Sequence, residues 1–162
     1  MNIIFKYIIV FLVSMVPIIE LRGAIPIAFA LGLDKSVLTT VLAFIISIIG
    51  NMIPVPFIYL FARKVLEWGS DKKFVGKFCT WCLNKGERAG KKLQSKAGRG
   101  LFVALLIFVG IPLPGTGAWT GTLGASFLNL DFKKSCVAVL LGVLLAGIIM
   151  MSISFGLFEV IF

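Results

Sequence analysis

Two side chains of opposite charge lie two residues apart in an otherwise apolar part of the chain. Glu20 and Arg22 belong to the stretch PIIELRGAIP, which runs from Pro17 to Pro26. A charge at the centre of a membrane helix costs about 2.5–3.5 kcal/mol on insertion scales, so such residues usually mark a pathway or a ligand site. A carboxyl can gain and lose a proton, whereas a guanidinium stays charged. The pair therefore predicts a proton-coupled site for an anion.

The spacing of this pair constrains its local structure. On a regular helix, residues i and i+2 point to different faces and cannot meet. We therefore expect Glu20 and Arg22 to lie in an unwound tip between Pro17 and Pro26, together with Gly23. The alternative is a structural ion pair that ties this segment to a second one, because buried pairs often serve specificity.

A second interrupted stretch, GIPLPGTG, lies between residues 110 and 117 and is followed by AWTG. The tip residues predicted here are Pro112, Pro114, Gly115, Thr116, Gly117 and Trp119. Its glycines allow close backbone approach. A half-helix starting near Ala118 would direct its positive N-terminal end at the tip, which suits an anion such as a phosphate. The alternative is ordinary helix packing through Gly117, Gly121 and Gly124.

The composition is that of an integral membrane protein. The chain has 162 residues, of which 59% are hydrophobic, and its mean hydropathy of +1.07 exceeds that of soluble domains. A bilayer core about 30 Å thick needs about 20 apolar residues for each helical span, so we expect one membrane domain with a handful of crossings. The N-terminal apolar run lacks the small-residue cleavage site of a secretory signal, so we interpret it as part of the fold.

The composition also limits the chemistry. The chain has three cysteines and no histidine, too few ligands for a usual zinc or iron–sulfur site. Cys79 and Cys82 form a CxxC pattern, which we interpret as interfacial packing rather than a redox pair. We predict no metal and no cofactor, with the proton as the coupling ion. An enzyme is the least favoured class, since Glu20 and Arg22 alone provide few of the groups that a catalytic site needs.

Four apolar blocks bracket a basic middle segment, and the first and third blocks are interrupted by proline and glycine. We predict an all-α fold of two repeats: hairpin 3–33 with span 37–62, and hairpin 101–130 with span 136–158, joined by connector 63–99. Interrupted segments at corresponding positions of two halves are typical of inverted-repeat transporters, whose site lies at the breaks. The alternative is two ordinary spans, each with a proline kink.

The charge distribution predicts the orientation. Between Arg63 and Arg99 eleven lysines and arginines oppose three acidic residues, so this connector should be cytoplasmic. If both hairpins are re-entrant, Lys133 and Lys134 also face the cytoplasm, and both termini lie outside. Irregular backbone at mid-membrane must be buried in protein or line a wet cavity, so we expect the two breaks to face each other.

The connector itself should contain an amphipathic helix between residues 72 and 96 that lies at the membrane surface. Its apolar stripe consists of Phe74, Phe78, Trp81 and Cys82, and its polar side carries Lys73, Lys77, Lys91, Lys92 and Lys96. Because membrane spans flank it, anionic lipid headgroups are favoured over nucleic acid as its partner. With so few helices in one chain, we expect a homodimer.

The two interrupted stretches also resemble known signatures. ELRGAIP and PLPGTGAWTG are similar to the signature stretches of the small multidrug export protein family, bacterial and archaeal proteins of the cytoplasmic (inner) membrane. That family is in turn similar to the DedA/VTT superfamily. This likeness implies two re-entrant hairpins from opposite faces, each followed by a spanning helix.

In DedA-like relatives, acidic and arginine residues at the hairpins are implicated in proton-coupled transport, and members are linked to flipping of lipids such as polyprenyl phosphates. The resemblance places these roles on Glu20 and Arg22. The DedA pattern also has arginines near the second hairpin, where this chain has PLPGTG instead.

Three functions follow from these observations. The first is proton-coupled movement of an amphiphile with an anionic head, such as a lipid phosphate. The second, implied by the family name, is export of hydrophobic cationic drugs, with Glu20 holding drug and proton in turn and Trp119 assisting through a cation–π contact. The third is a structural or accessory membrane protein whose buried charges stabilise the fold.

Overall fold

The computed structural model describes residues 2–71, 76–97 and 100–161, and the regular structure within these ranges is helical. The first half contains α1 (Ile3–Met15), α2 (Glu20–Ala30) and α3 (Val37–Met52). Next come α4 (Pro54–Phe57), a π-helical turn (Ile58–Ala62) and α5 (Arg63–Ser70). The second half contains α6 (Gly76–Ala97), α7 (Leu101–Gly110), α8 (Ala118–Phe127) and α9 (Phe132–Ile161).

Two continuous helical segments of the described chain are long and apolar enough to cross a membrane. They are Val37–Phe61, with 25 residues, and Phe132–Leu157, with 26. At 1.5 Å per residue each exceeds the roughly 30 Å thickness of a bilayer core. The apolar helices α1 and α7 have 13 and 10 residues, which is too short for a helix to cross alone.

The first break is shorter than its prolines suggest. The unwound tip predicted over Pro17–Pro26 is confined to residues 16–19, and α2 begins at Glu20. Arg22, Gly23 and Pro26 therefore lie in a helix, which corrects the sequence-based prediction. The φ angle of proline is compatible with a helix, so α2 continues through Pro26, although the hydrogen bond to the Arg22 carbonyl is lost and the proline ring crowds that carbonyl.

The spans also differ from their predicted bounds. α9 begins at Phe132 rather than at residue 136, because the Asp131 carboxylate accepts the N–H of Lys134 at 2.8 Å and caps the helix. Within the first spanning segment the helical backbone continues through Ile53, which has φ of −57° and ψ of −46°. There α3 gives way to α4, whose first position is a proline with no N–H to satisfy.

The second arm of each half ends in the same kind of turn, at Leu31-Gly32-Leu33 and Leu128-Asn129-Leu130. The middle residue of each is left-handed, with φ of 70° at Gly32 and 50° at Asn129. In both turns the second leucine donates its N–H to a carbonyl five residues back, at 3.0 Å. This is the Schellman arrangement that ends helices, so the two halves have the same local structure at this point.

α2 lies at the centre of the packing. Leu21, Ile25 and Phe29 join a core formed with α4, α7, α8 and α9. Ala24 and Ala28 face a second core formed with α1 and α3. The helix that carries Glu20 and Arg22 is thus held on two faces, and its first turn has little freedom to shift.

Close contacts at glycine hold the first arm of each half against the span that follows it. A β-carbon on Gly50 of α3 would lie 2.7 Å from the Phe11 carbonyl oxygen of α1. One on Gly142 of α9 would lie 2.8 Å from the Leu106 carbonyl oxygen of α7. Such small residues let membrane helices approach at backbone distance.

The connector packs more closely against the protein than a purely interfacial helix would. α6 contacts α5, α7 and α8. Cys79 is buried against Gly69 of α5, whereas Phe78 and Trp81 are 59% and 46% exposed. The predicted stripe is therefore split between protein and surroundings. Phe74 and Lys73 lie outside the described residues, as do the side chains of Lys92 and Lys96.

Candidate functional site

The carboxylate of Glu20, which belongs to the first hairpin, is bound to the start of α8. This helix is the second arm of the second hairpin. Its Oε2 accepts the backbone N–H of Ala118 at 3.1 Å, and its Oε1 accepts that of Trp119 at 3.0 Å. These are the first two N–H groups of α8, which have no partner within their own helix. The positive end of the helix dipole adds to the attraction. The side chain is only 5% exposed.

Two backbone features make this contact possible. Glu20 has a positive φ of 52°, so its side chain does not follow the direction of a regular helical residue. Gly117, which precedes α8, has a φ of 139°, and a β-carbon there would lie 2.3 Å from Oε2 of Glu20. The glycine that we predicted for close backbone approach thus makes room for a carboxylate of the same chain.

The guanidinium of Arg22 is bound to the C-terminal end of α7, which is the first arm of the second hairpin, and to the second break. Nη1 donates to the carbonyls of Leu113 and Thr116 at 2.7 and 2.9 Å. Nη2 donates to the carbonyls of Val109 and Ile111, both at 3.2 Å, and to the Thr116 hydroxyl at 3.0 Å. The C-terminal end of α7 and the carbonyls released by the break are thereby satisfied.

Each charge meets the helix end of opposite polarity. The carboxylate of Glu20 lies at the positive start of α8, and the guanidinium of Arg22 lies at the negative end of α7. The two side chains bond to the second hairpin rather than to each other. The structure therefore brings the two predicted breaks together. At the N–H of Ala118, where we expected an external anion, the carboxylate of Glu20 is bound instead.

The second break has a turn set by its residue types. Pro114 is followed by Gly115 with φ of 84°, and the N–H of Thr116 donates to the Leu113 carbonyl at 3.1 Å. Proline followed by left-handed glycine is the pattern of a type II turn. In the first break Pro17 is followed by Ile18, which has φ of 78° although it is β-branched. The two breaks share this Pro–left-handed pair.

The remaining predicted tip residues lie around these contacts. Thr116 is half-buried, and its hydroxyl lies 2.9 and 2.8 Å from the carbonyl oxygens of Ile111 and Leu113. Pro112 is half-buried, whereas Pro17 is exposed. The indole Nε1 of Trp119 is buried and has no hydrogen-bond partner among the described residues. Trp119 therefore meets the site mainly through its backbone.

Sequence reasoning missed a cavity beside the second break. It has a volume of about 430 Å³. Its lining consists of Trp81, Asn84, Lys85 and Arg88 of α6, Phe108 of α7, and Pro114, Gly115 and Thr116 of the break. The signal was present: the four α6 residues recur at helical spacing and so share one face.

The other candidate groups show no activated chemistry. Burial and the neighbouring Cys79 raise the pKa of the Cys82 thiol, with Lys85 acting in the opposite direction. Cys79, Cys82 and Cys136 are free thiols. Within residues 2–71, 76–97 and 100–161, no group of three or more histidine, cysteine or acidic residues could hold a metal ion.

These features define a helical membrane protein with two spanning helices and a pair of charges that join two broken helical segments. The family model described as "Putative small multi-drug export protein" matches residues 20–149, which begin at Glu20, directly after the first break, and include the whole second break. The chain belongs to this family. Neither a curated protein nor a solved structure matches it.

Proposed function

We propose that this protein is a proton-coupled transporter that moves an amphiphile with an anionic head, such as a lipid phosphate, across the bilayer. The observation that carries the proposal is the bond between the Glu20 carboxylate and the first N–H groups of α8. A titratable group on one hairpin thereby holds the half-helix of the other. The family described as an export protein supports transport as the activity.

The proposed architecture is an inverted repeat of two re-entrant hairpins, each followed by a spanning helix. The arms α2 and α8 have 11 and 10 residues, about 15–17 Å of helix at 1.5 Å per residue, which is half of a bilayer core. The equivalent turns after both arms and the resemblance to the DedA/VTT superfamily support the repeat. Lys6 and Lys35 lie together near Gly32, as residues of one membrane face would.

Protonation of Glu20 would change the contact between the hairpins. An ionised carboxylate accepts at both oxygens, whereas a protonated carboxyl has one oxygen that must act as a donor. One of the two N–H groups of α8 is then left with a weaker acceptor, the hydroxyl oxygen, and the negative charge at the positive helix end disappears. The hairpins are held less tightly in this state, which is how proton binding would favour a second arrangement.

Arg22 favours an anionic over a cationic substrate. Its five hydrogen bonds go to neutral carbonyl and hydroxyl oxygens, so the backbone solvates its positive charge. The Glu20 carboxylate interacts with that charge electrostatically, so protonation of Glu20 would leave the charge of Arg22 uncompensated. A lipophilic cation brought to the break would be repelled by this charge. An anionic head would be attracted to it.

Export of hydrophobic cations remains the second candidate because of a different feature. An apolar groove of about 520 Å³ lies between α3 and α9, and Asp34 stands at its lining together with Phe44 and Phe155. An acid beside aromatic rings suits a lipophilic cation. Glu20 does not suit that role, because both of its oxygens already accept hydrogen bonds from α8.

The test uses purified protein in liposomes with an inward or outward proton gradient. A fluorescent polyprenyl phosphate and a fluorescent lipophilic cation are supplied separately, and movement between leaflets is followed with a membrane-impermeant quencher. We expect movement of the phosphate lipid, its loss in Glu20→Gln, and its retention in Asp71→Asn, an exposed carboxyl control.

Two results would overturn this proposal. Movement of the cation alone, lost in Asp34→Asn, would establish the export of cations instead. Movement of neither probe, with Glu20→Gln altering only thermal stability, would support the structural or accessory role in which the charges stabilise the fold.

A further inference from the structure

We infer that the cavity between α6 and the second break binds the phosphate monoester head of a membrane lipid. This inference rests on the proposed function, since it names the place where the amphiphile of that proposal is held. The cavity has a volume of about 430 Å³ and opens to the surface. That volume accommodates a phosphate group and the first atoms of the chain attached to it.

The cavity is basic, and its lining has no acidic residue to offset its charge. Lys85 and Arg88 lie one helical turn apart on the face of α6 that lines it, with the amide of Asn84 beside them. An arginine fork and a lysine ammonium together are the usual partners of a phosphate dianion.

Lys85 is held close to the break. Its Nζ lies 4.7 Å from the centre of the Trp81 ring, a cation–π distance. A β-carbon on Gly115 would lie 3.6 Å from the same nitrogen, so the absence of a side chain at this turn keeps the approach to the ammonium open. The charge is therefore positioned at the turn, where it also interacts electrostatically with the Glu20 carboxylate.

The remaining lining indicates a lipid rather than free phosphate. Trp81, Phe108 and Pro114 form an apolar wall beside the basic groups. The apolar surface continues outward along α6 through Phe78, whose ring stacks on Trp81 at 6.0 Å and is 59% exposed. An inorganic ion would make no favourable contact with these apolar side chains, whereas the hydrocarbon chain of an amphiphile can pack along them.

The cavity also adjoins the Glu20 contact through a short piece of backbone. Thr116 lines the cavity and accepts a hydrogen bond from Arg22 at 3.0 Å. Two residues further on, Ala118 donates its N–H to Glu20. A ligand on the cavity side of this segment would thus touch the turn that the two charges of the first hairpin hold in place.

The experiment measures binding to the full chain in detergent by native mass spectrometry, and by the fluorescence of Trp81 in a chain that carries Trp68→Phe and Trp119→Phe. The probes are farnesyl phosphate, inorganic phosphate, farnesol and a zwitterionic phosphocholine detergent. We expect farnesyl phosphate to bind best. In Lys85→Gln/Arg88→Gln its affinity should fall about tenfold or more, because charge-assisted hydrogen bonds are lost.

Lys64→Gln/Lys91→Gln is the matched control, since both lysines are exposed and the net charge changes equally. Size-exclusion elution of both double variants checks that each is folded. An equal loss in the control would overturn the site in favour of general charge attraction. Inorganic phosphate binding as tightly as farnesyl phosphate would overturn the lipid assignment, and farnesol binding as tightly would overturn the role of the charges.

The same variants separate this inference from the proposed function. Binding that depends on Lys85 and Arg88 in a protein that moves no lipid would retain the site and overturn the transport. Lipid movement that is unchanged in Lys85→Gln/Arg88→Gln would retain the transport and overturn the site.

Discussion

The carboxylate of Glu20 bonds to the backbone N–H of Ala118 across 98 positions of sequence, at 3.1 Å. This contact joins the start of α2 to the start of α8, so that one acidic side chain determines how two broken helical segments meet. Arg22 lies two residues further along α2 and binds carbonyl groups of the second break. The charges of the ELR stretch are thus explained by the polarity of a helix that is interrupted within a membrane protein.

Glu20→Gln should destabilise the protein, because an amide presents one acceptor and one donor to two N–H groups. The loss should be about 1–3 kcal/mol, the cost of leaving a buried donor without a partner. Gly117→Ala should act in the same direction without any change of charge, since its β-carbon would displace Oε2 of Glu20. Thermal unfolding in detergent measures both, with Asp71→Asn as the control. Stability of Gly117→Ala equal to that of the intact protein would contradict the contact.

Arg22→Lys should not substitute for arginine. The guanidinium makes five hydrogen bonds to the second break, whereas an ammonium has three donors and no planar fork. Arg22→Ala should cost about 1–3 kcal/mol, because the partly buried hydrogen bonds to the Val109 and Thr116 carbonyls are lost. The unfolding temperatures should rank intact protein, Arg22→Lys and Arg22→Ala in descending order. Equal values for the intact protein and Arg22→Lys would show that charge alone is sufficient.

Ile18→Gly should stabilise the protein, which is unusual for a glycine substitution. Ile18 has φ of 78° and is 75% exposed, so its side chain adds strain and little packing. Relief of about 1–3 kcal/mol of strain, offset by the added freedom of glycine in the unfolded chain, leaves about 0.5–1 kcal/mol. Gly115→Ala, at the equivalent turn with φ of 84°, should destabilise. Unfolding shifts of the same sign in both variants would contradict the equivalence of the two breaks.

The thiol of Cys82 should react slowly with maleimide at neutral pH. Its pKa is raised by burial and by Cys79, so the reactive thiolate is scarce below the ordinary thiol pKa of about 8.5 and increases only as the pH rises beyond it. Mass spectrometry of the labelled peptide over a series of pH values measures the rate. A rate that reaches its plateau below pH 8 would show an activated cysteine and would favour the redox interpretation of the CxxC pattern.

Labelling from the two sides of a membrane tests the re-entrant hairpin. In a cysteine-free chain, Lys77→Cys and Lys133→Cys should react with an impermeant reagent from the same side, and Lys35→Cys from the opposite side. All three positions are exposed. If α7 and α8 together formed an ordinary span, Lys77→Cys and Lys133→Cys would react from opposite sides.

Local sequence signals predicted the elements well. Prolines and glycines indicated both breaks, and the start of the half-helix near Ala118 is confirmed as the start of α8. Gly32 and Asn129, residue types that tolerate a left-handed backbone, lie at equivalent hydrogen-bonded helix ends. These features depend on backbone preferences of a few neighbouring residues, which a sequence pattern reports directly.

The features that the sequence analysis placed incorrectly depend on contacts between residues that are far apart in the sequence. Pro26 was expected to end a break, yet α2 passes through it, because packing of this helix on two faces outweighs one lost hydrogen bond. The prediction that Glu20 and Arg22 need an unwound tip assumed that both residues would have regular helical φ angles. Glu20 instead has a left-handed φ of 52° at the start of α2. The approach of Lys85 to Gly115 depends on how α6 packs on the second hairpin, which its amphipathic pattern alone does not determine.

The most direct measurement of the central claim is proton movement driven by the substrate. Protein is reconstituted in liposomes that contain a pH-sensitive dye, a polyprenyl phosphate is added on one side, and the internal pH is recorded for the intact chain and for Glu20→Gln. The account predicts a pH change that depends on the lipid in the intact protein and is absent in Glu20→Gln, which should also move no lipid. An identical pH change in both proteins would show that Glu20 carries no coupling proton and would leave it a purely structural cap of α8.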